Sequence, residues 1–139
     1  MITNYIKYKL MSSFDVSSIE LTYLTTFSNG IKYCKSNRLH ELYLPNKIIS
    51  VETYLSFYKD ELLAIVFNAS EQNLNYLVEF INSFANNEDE FLFEDVLGGN
   101  SDLFCIQDDV AISINNREND TIDFKIAVPI SKRKNNVFV

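Results

Sequence analysis

The sequence has only two cysteines and one histidine, and each scarcity argues against a kind of functional site. The cysteines, Cys34 and Cys105, lie far apart without a C-x-x-C pair, so neither a disulfide framework nor a thiolate metal site is expected. We expect both thiols to line the core. No nucleophile signature surrounds His40, so we expect a surface or partly buried histidine rather than a catalytic one.

The chain also has few glycines and prolines, and it lacks a long apolar run. No linker, low-complexity tract or repeat divides its 139 residues, a length that fits one domain. No stretch approaches the roughly 18 to 20 apolar residues that span a bilayer, and Asn4, Lys7 and Lys9 interrupt the first 13 residues. We therefore expect a single cytoplasmic domain over residues 1–139.

Positive charge is missing from a long central segment. Residues 60–116 contain twelve acids and neither lysine nor arginine, although the whole chain has 12 basic and 19 acidic residues. Eight of the twelve acids fall within residues 88–109, which we call the acidic block: Glu88, Asp89, Glu90, Glu94, Asp95, Asp102, Asp108 and Asp109. Such a concentrated negative field attracts basic proteins and repels nucleic acid and anionic lipid.

Paired carboxylates in the acidic block raise the question of a metal site. Glu94 and Asp95 are adjacent, as are Asp108 and Asp109, but neither pair lies in a calcium-binding loop with its spaced acids and glycine. Adjacent side chains on a strand point to opposite faces and rarely converge on one ion. The sequence therefore predicts no metal, and nothing in it indicates another cofactor.

The clearest helix signal covers residues 70–87. Apolar side chains recur there at three- and four-residue spacing, and Ser70 is placed to cap the first turn. Tyr76 and Phe80 lie one turn apart on the flank of this apolar stripe. Two interpretations are open for this pair: a flank buried under a neighbouring loop, or a contact with a partner.

Strands are predicted before and after this helix in the sequence, together with a short helix and one segment that fits two structures. Residues 61–68 contain an unbroken apolar run, 62–67, which is typical of a central strand covered on both faces. Residues 2–10, 31–34, 103–107, 110–115 and 122–130 also read as strands, and the last two should form an antiparallel hairpin. Residues 50–58 favour a short helix. Residues 15–30 fit either a helix, slightly preferred, or a hairpin turning at Asn29 and Gly30.

These elements together predict an α+β fold: a single domain with a mostly antiparallel β-sheet and two or three helices packed on one face. The charge segregation predicts a non-enzymatic binding protein. Our leading hypothesis is an acidic inhibitor that covers the active site of a basic, nuclease-type bacterial toxin, which is the role of an immunity protein. The predicted contacts are the eight acids of the acidic block together with Tyr76 and Phe80.

Two alternatives to this hypothesis differ in class of partner. The first is a phage-encoded inhibitor of host defence that imitates the charge of DNA. The second is a small-molecule-binding domain or enzyme, which would show a deep pocket containing tyrosine or His40. Neither nucleic acid nor membrane is expected as a partner, and the sequence does not indicate an oligomeric state.

Overall fold

A computed structural model describes residues 8–14, 20–83, 103–107, 110–117 and 120–128. These ranges contain eight β-strands and one α-helix. In chain order they are β1 (Leu21–Thr26), β2 (Lys32–Ser36), β3 (His40–Leu44), β4 (Lys47–Tyr58), β5 (Glu61–Ser70), α1 (Leu74–Asn82), β6 (Leu103–Gln107), β7 (Val110–Arg117) and β8 (Thr121–Ala127). A single 3-10 turn, Glu71–Asn73, joins β5 to α1.

Seven of the strands form one antiparallel sheet in the order β1-β2-β4-β5-β8-β7-β6. The remaining strand, β3, is joined to β4 by a two-residue turn and pairs with its first half. The second half of β4 pairs with β2 on one side and β5 on the other. Because β5 is fourth of the seven, the prediction that residues 61–68 form a central strand is confirmed. The predicted hairpin is also confirmed as the β7–β8 pair.

The core lies between one face of the sheet and α1. Alternate residues of the central strands, including Leu55, Phe67 and Phe124, are completely buried there. The helix contributes Leu77 and Ile81, both fully buried, as the three-and-four spacing predicts. The opposite face, which we call the outer face, carries half-exposed side chains. The helical prediction holds for α1, and its residues 84–87 lie outside the described ranges.

The helix preferred for residues 15–30 is wrong where the structure describes it. Leu21–Thr26 is an edge strand, and the chain turns at Gly30, whose φ of +91° suits glycine, to pair with β2. The physical reason is local. Thr22, Thr25 and Thr26 have branched side chains that favour extended backbone, and the Asn29–Gly30 pair forms a turn.

The short helix predicted for residues 50–58 is also wrong, because this segment is the second half of β4. Val51, Thr53, Leu55 and Phe57 alternate toward the core, and this period of two decides the structure. Within the described ranges there is consequently one α-helix instead of two or three. The domain is a sheet-dominated α+β fold with its helix on one face.

Several predicted features lie at or beyond the limits of the described ranges. Of the strand predicted for residues 2–10, only residues 8–10 are described, and they are not in a strand. Residues 11–14 run beside the start of β5, where the Met11 amide donates to the Leu62 carbonyl at 2.8 Å. Over the described part of the chain, no helix has the length and apolar character needed to cross a bilayer.

Candidate functional site

The acidic block lies outside the described ranges, so its eight acids have no described position. Their neighbours in the chain do. Asp102 directly precedes β6 and Asp108 directly follows it, and β6 is the last strand in the sheet order. The chain therefore carries acidic residues on both sides of a terminal strand.

Among the described residues, the sheet order separates the more basic part of the chain from the more acidic part. Residues 20–59, which include β1 to β4, contain five basic and three acidic residues. The described residues between 60 and 128, which form β5 to β8 and α1, include two basic and six acidic residues. The first group of strands occupies one side of the sheet and the second group the other side. The domain thus has one half whose sequence is strongly acidic.

The structure separates the two aromatic residues that were predicted as a contact pair. Phe80 is 2% exposed and belongs to the core, so the buried interpretation describes it. Tyr76 is half-buried, and the Lys47 Nζ atom lies 5.0 Å from the centre of its ring. Only Tyr76 of this pair is therefore accessible, at the point where the start of β4 approaches α1.

The β3–β4 hairpin is anchored to this region by both apolar and polar contacts. Its inward side chains, Leu42, Leu44, Ile49 and Val51, are buried in the main core. At its turn, the Asn46 amide donates to Glu79 Oε1 at 3.4 Å, and Lys47 Nζ donates to Asn73 Oδ1 at 2.8 Å. The hairpin is therefore held against α1 rather than projecting freely.

The outward side of this hairpin exposes apolar surface next to a carboxylate. Tyr43 and Ile48 are cross-strand partners and are 54% and 60% exposed. The Tyr43 hydroxyl donates to Glu41 Oε2 at 3.1 Å. We call Glu41, Tyr43 and Ile48 the hairpin patch. Sequence reasoning missed it, because its face depends on the β3–β4 register.

A second tyrosine–glutamate pair lies further along the outer face of β4. The Tyr54 hydroxyl donates to Glu52 Oε2 at 3.1 Å, and Lys35 Nζ lies 3.4 Å from Glu52 Oε1. The Tyr54 ring centre is 5.6 Å from that of Tyr33. Both oxygens of Glu52 are engaged here, whereas Glu41 has such a contact on one oxygen in the described structure.

Both phenols have a pKa above the usual value for tyrosine. The hydrogen bond to Glu41, reinforced by its negative charge, raises the pKa of Tyr43 above its usual value. Burial is the largest cause of the raised pKa of Tyr54, followed by the hydrogen bond to Glu52. Both hydroxyls are therefore protonated at neutral pH and donate their hydrogen bonds to the glutamate oxygens.

A cavity of about 220 Å³ opens at the end of the sheet where β4 turns into β5. Its lining consists of Phe14, Thr26, Gly30, Lys32, Phe57, Lys59 and Asp60. The Asp60 carboxylate already accepts hydrogen bonds from the Ser13 hydroxyl and the Phe14 amide. The lining includes neither tyrosine nor His40, the residues that a small-molecule site was expected to contain.

The remaining candidate residues are His40, the cysteines and possible metal ligands. The His40 ring lies 5.1 Å from the Phe67 ring at the edge of the core. Cys34 is a free thiol, completely buried, and burial raises its pKa against the opposing charge of Lys32. In the ranges that the structure describes, no group of three or more histidine, cysteine or acidic residues is arranged to hold a metal ion. For β6 the structure describes the backbone alone, so the prediction that the Cys105 thiol lines the core lies outside the described part of the chain.

Comparison of the chain with protein-family models, with curated proteins and with solved structures finds no match.

Proposed function

We propose that this chain is a non-enzymatic inhibitor that binds a basic protein through its acidic half, and that the partner is a nuclease-type bacterial toxin for which it serves as the immunity protein. The observation that carries the proposal is the absence of lysine and arginine from residues 60–116, which contain twelve acids. Solubility alone does not require this segregation, because acidic and basic residues interspersed along the chain would serve it equally well. Segregation of the acids favours a role in recognition.

The physical mechanism is electrostatic capture followed by occlusion. A nuclease has to present positive charge to the phosphate backbone of its substrate. An acidic surface of complementary shape is steered toward that charge and associates faster than diffusion of neutral surfaces would allow. Once bound, it blocks the substrate without any chemistry of its own. The separation of an acidic half within one sheet supports this mode of binding.

The first experiment identifies the partner and tests its charge. The tagged chain is used to capture proteins from cells of its native host, and the captured proteins are identified by mass spectrometry. A basic nuclease encoded beside this chain is the expected result. A basic DNA-binding protein of a phage-infected host would favour the alternative of a DNA-mimicking inhibitor, and an acidic partner would contradict both.

The second experiment locates the binding surface within the acidic segment. Replacing Asp108 and Asp109 with lysine should slow association with the captured partner by roughly tenfold at low salt, and the wild-type rate should fall as the Debye length shortens to about 8 Å. The matched control replaces Glu71 and Asp120, which are exposed and lie outside the acidic block, with lysine. Equal rates for the two variants would mean that net charge alone, and not the acidic block, drives association.

A further inference from the structure

The hairpin patch combines three kinds of surface on the outward side of one hairpin. Tyr43 exposes an aromatic face, Ile48 exposes an aliphatic side chain, and Glu41 offers a carboxylate next to both. Successive outward residues of a strand are about 6.8 Å apart, so Glu41 and Tyr43 are close enough for one side chain to touch both. The patch is therefore small enough to be filled by a single residue of a partner.

This combination matches an arginine side chain. A guanidinium group stacks on an aromatic ring and donates two parallel hydrogen bonds to a carboxylate, while its aliphatic stem covers apolar surface. Glu41 is exposed, and its Oε1 atom has no hydrogen bond or ion pair within the described structure. Lysine fits less well, because its ammonium group is a point charge that stays more strongly hydrated.

The patch is also fixed in place before any partner arrives. The buried side chains beneath it and the contacts of Asn46 and Lys47 with the α1 region hold the hairpin in one position. The hydrogen bond from Tyr43 to Glu41 orients the carboxylate and the ring relative to one another. Side chains that are already held in place lose less entropy on binding, and tyrosine is among the residues that most often dominate the affinity of an interface.

We infer that the hairpin patch of Glu41, Tyr43 and Ile48 binds an arginine side chain of the basic protein partner. The inference rests on the proposed function for the existence of that partner, and it adds a second contact outside the acidic block. Charge complementarity selects the occupant, since an exposed carboxylate beside an aromatic ring favours a cation over a neutral or acidic group.

Nuclear magnetic resonance titration of the full ¹⁵N-labelled chain tests the inference without the natural partner. The probes are a capped hexaarginine peptide and a capped hexalysine peptide at low salt. We expect the amides of Glu41, Tyr43 and Ile48 to shift on addition of hexaarginine. Hexaarginine should bind at these amides about threefold or more tighter than hexalysine, because only the guanidinium stacks and pairs at once.

Matched variants separate the patch from general charge attraction. Tyr43→Ala and Glu41→Gln should each weaken hexaarginine binding at the patch by about fivefold or more. Tyr23→Ala removes a tyrosine that is also 54% exposed, and Glu71→Gln removes an exposed acid elsewhere, so these controls should change binding less than about twofold. Unchanged thermal unfolding of the patch variants confirms that they fold.

The outcomes distinguish failure of the inference from failure of the proposed function. Shifts confined to residues of the acidic block, with no effect of Tyr43→Ala or Glu41→Gln, would overturn the inference and leave the proposed function standing. Losses of equal size in the patch variants and the controls would also overturn it. Absence of any shift with either cationic peptide would count against both.

Discussion

Replacing Thr53 with valine should stabilise the protein, although most core substitutions do the opposite. Thr53 is completely buried on the core face of β4, opposite Phe67 on β5. Its Oγ1 atom is buried and has no hydrogen-bond partner in the described structure. A buried hydroxyl without a partner costs about 1 to 3 kcal/mol in lost hydration, and valine removes that cost while nearly keeping the shape.

We expect Thr53→Val to raise the free energy of unfolding by about 1 to 2 kcal/mol, measured by urea denaturation with an unchanged slope. The melting temperature should rise by roughly 3 to 4 °C per kcal/mol for a chain of this length. Thr53→Ser should instead lose about 1 kcal/mol, because it keeps the hydroxyl and removes a methyl group.

The matched control is Thr22→Val on the exposed strand β1. The Thr22 hydroxyl donates to Asn37 Oδ1, so the same chemical change removes a satisfied hydrogen bond and should cost up to about 1 kcal/mol. If Thr53→Val lowered the free energy of unfolding as Thr22→Val does, the Thr53 hydroxyl would have a partner in solution, and the description of this part of the core would be wrong.

Two further predictions concern the core. Leu77→Ala should lower the free energy of unfolding by about 3 to 4 kcal/mol, because it removes three buried carbons and leaves a cavity. Tyr76→Ala should lower it much less, because Tyr76 is only half-buried. Denaturant unfolding that ranked the two variants in the reverse order would mean that the buried face of α1 is misassigned. Cys34 should resist iodoacetamide in the native protein and react in guanidinium, since burial blocks access and its raised pKa keeps the thiol protonated until the pH is higher; rapid native alkylation, followed by peptide mass spectrometry, would contradict this.

The helix and the central strand could be predicted because each has one strong signal. Residues 62–67 form an unbroken apolar run, and α1 has apolar residues at three- and four-residue spacing with few polar interruptions. These patterns reflect burial on two faces and on one stripe, respectively. Where tertiary burial is this complete, the periodicity of the sequence records it directly.

The predictions for the edge strand β1 and the long strand β4 were wrong for different reasons. Five of the six residues of β1 are exposed, so the strand has no buried face whose period could be read. In β4, Val51, Leu55 and Tyr58 happen to satisfy helical spacing, and the alternating pattern passes through Thr53, which reads as polar although it is completely buried. Only strand pairing resolves such a case.

The hairpin patch could not be predicted from the sequence, because its three residues come together only through the register of the β3–β4 pair. Glu41 and Tyr43 are two positions apart on β3, and Ile48 joins them only because the turn at Pro45 and Asn46 places it opposite Tyr43. The wrong prediction of a helix for residues 50–58 also excluded the long strand β4 that forms the second half of this hairpin. By contrast, the acidic block is a property of the sequence itself, and its contribution to binding stays a prediction.

The distance between β4, which carries Ile48, and β6, which Asp102 and Asp108 flank in the sequence, implies distinct roles in one complex. Four spacings of about 4.8 Å separate β4 from β6 in the order β4-β5-β8-β7-β6, so these two strands lie about 19 Å apart across the sheet. A partner that touches both must therefore present cations over at least this span, which a folded basic protein does and one arginine does not. Long-range charge controls association, whereas short-range packed contacts control dissociation. Reversal of Asp108 and Asp109 should thus act mainly on the association rate, and Tyr43→Ala mainly on the dissociation rate.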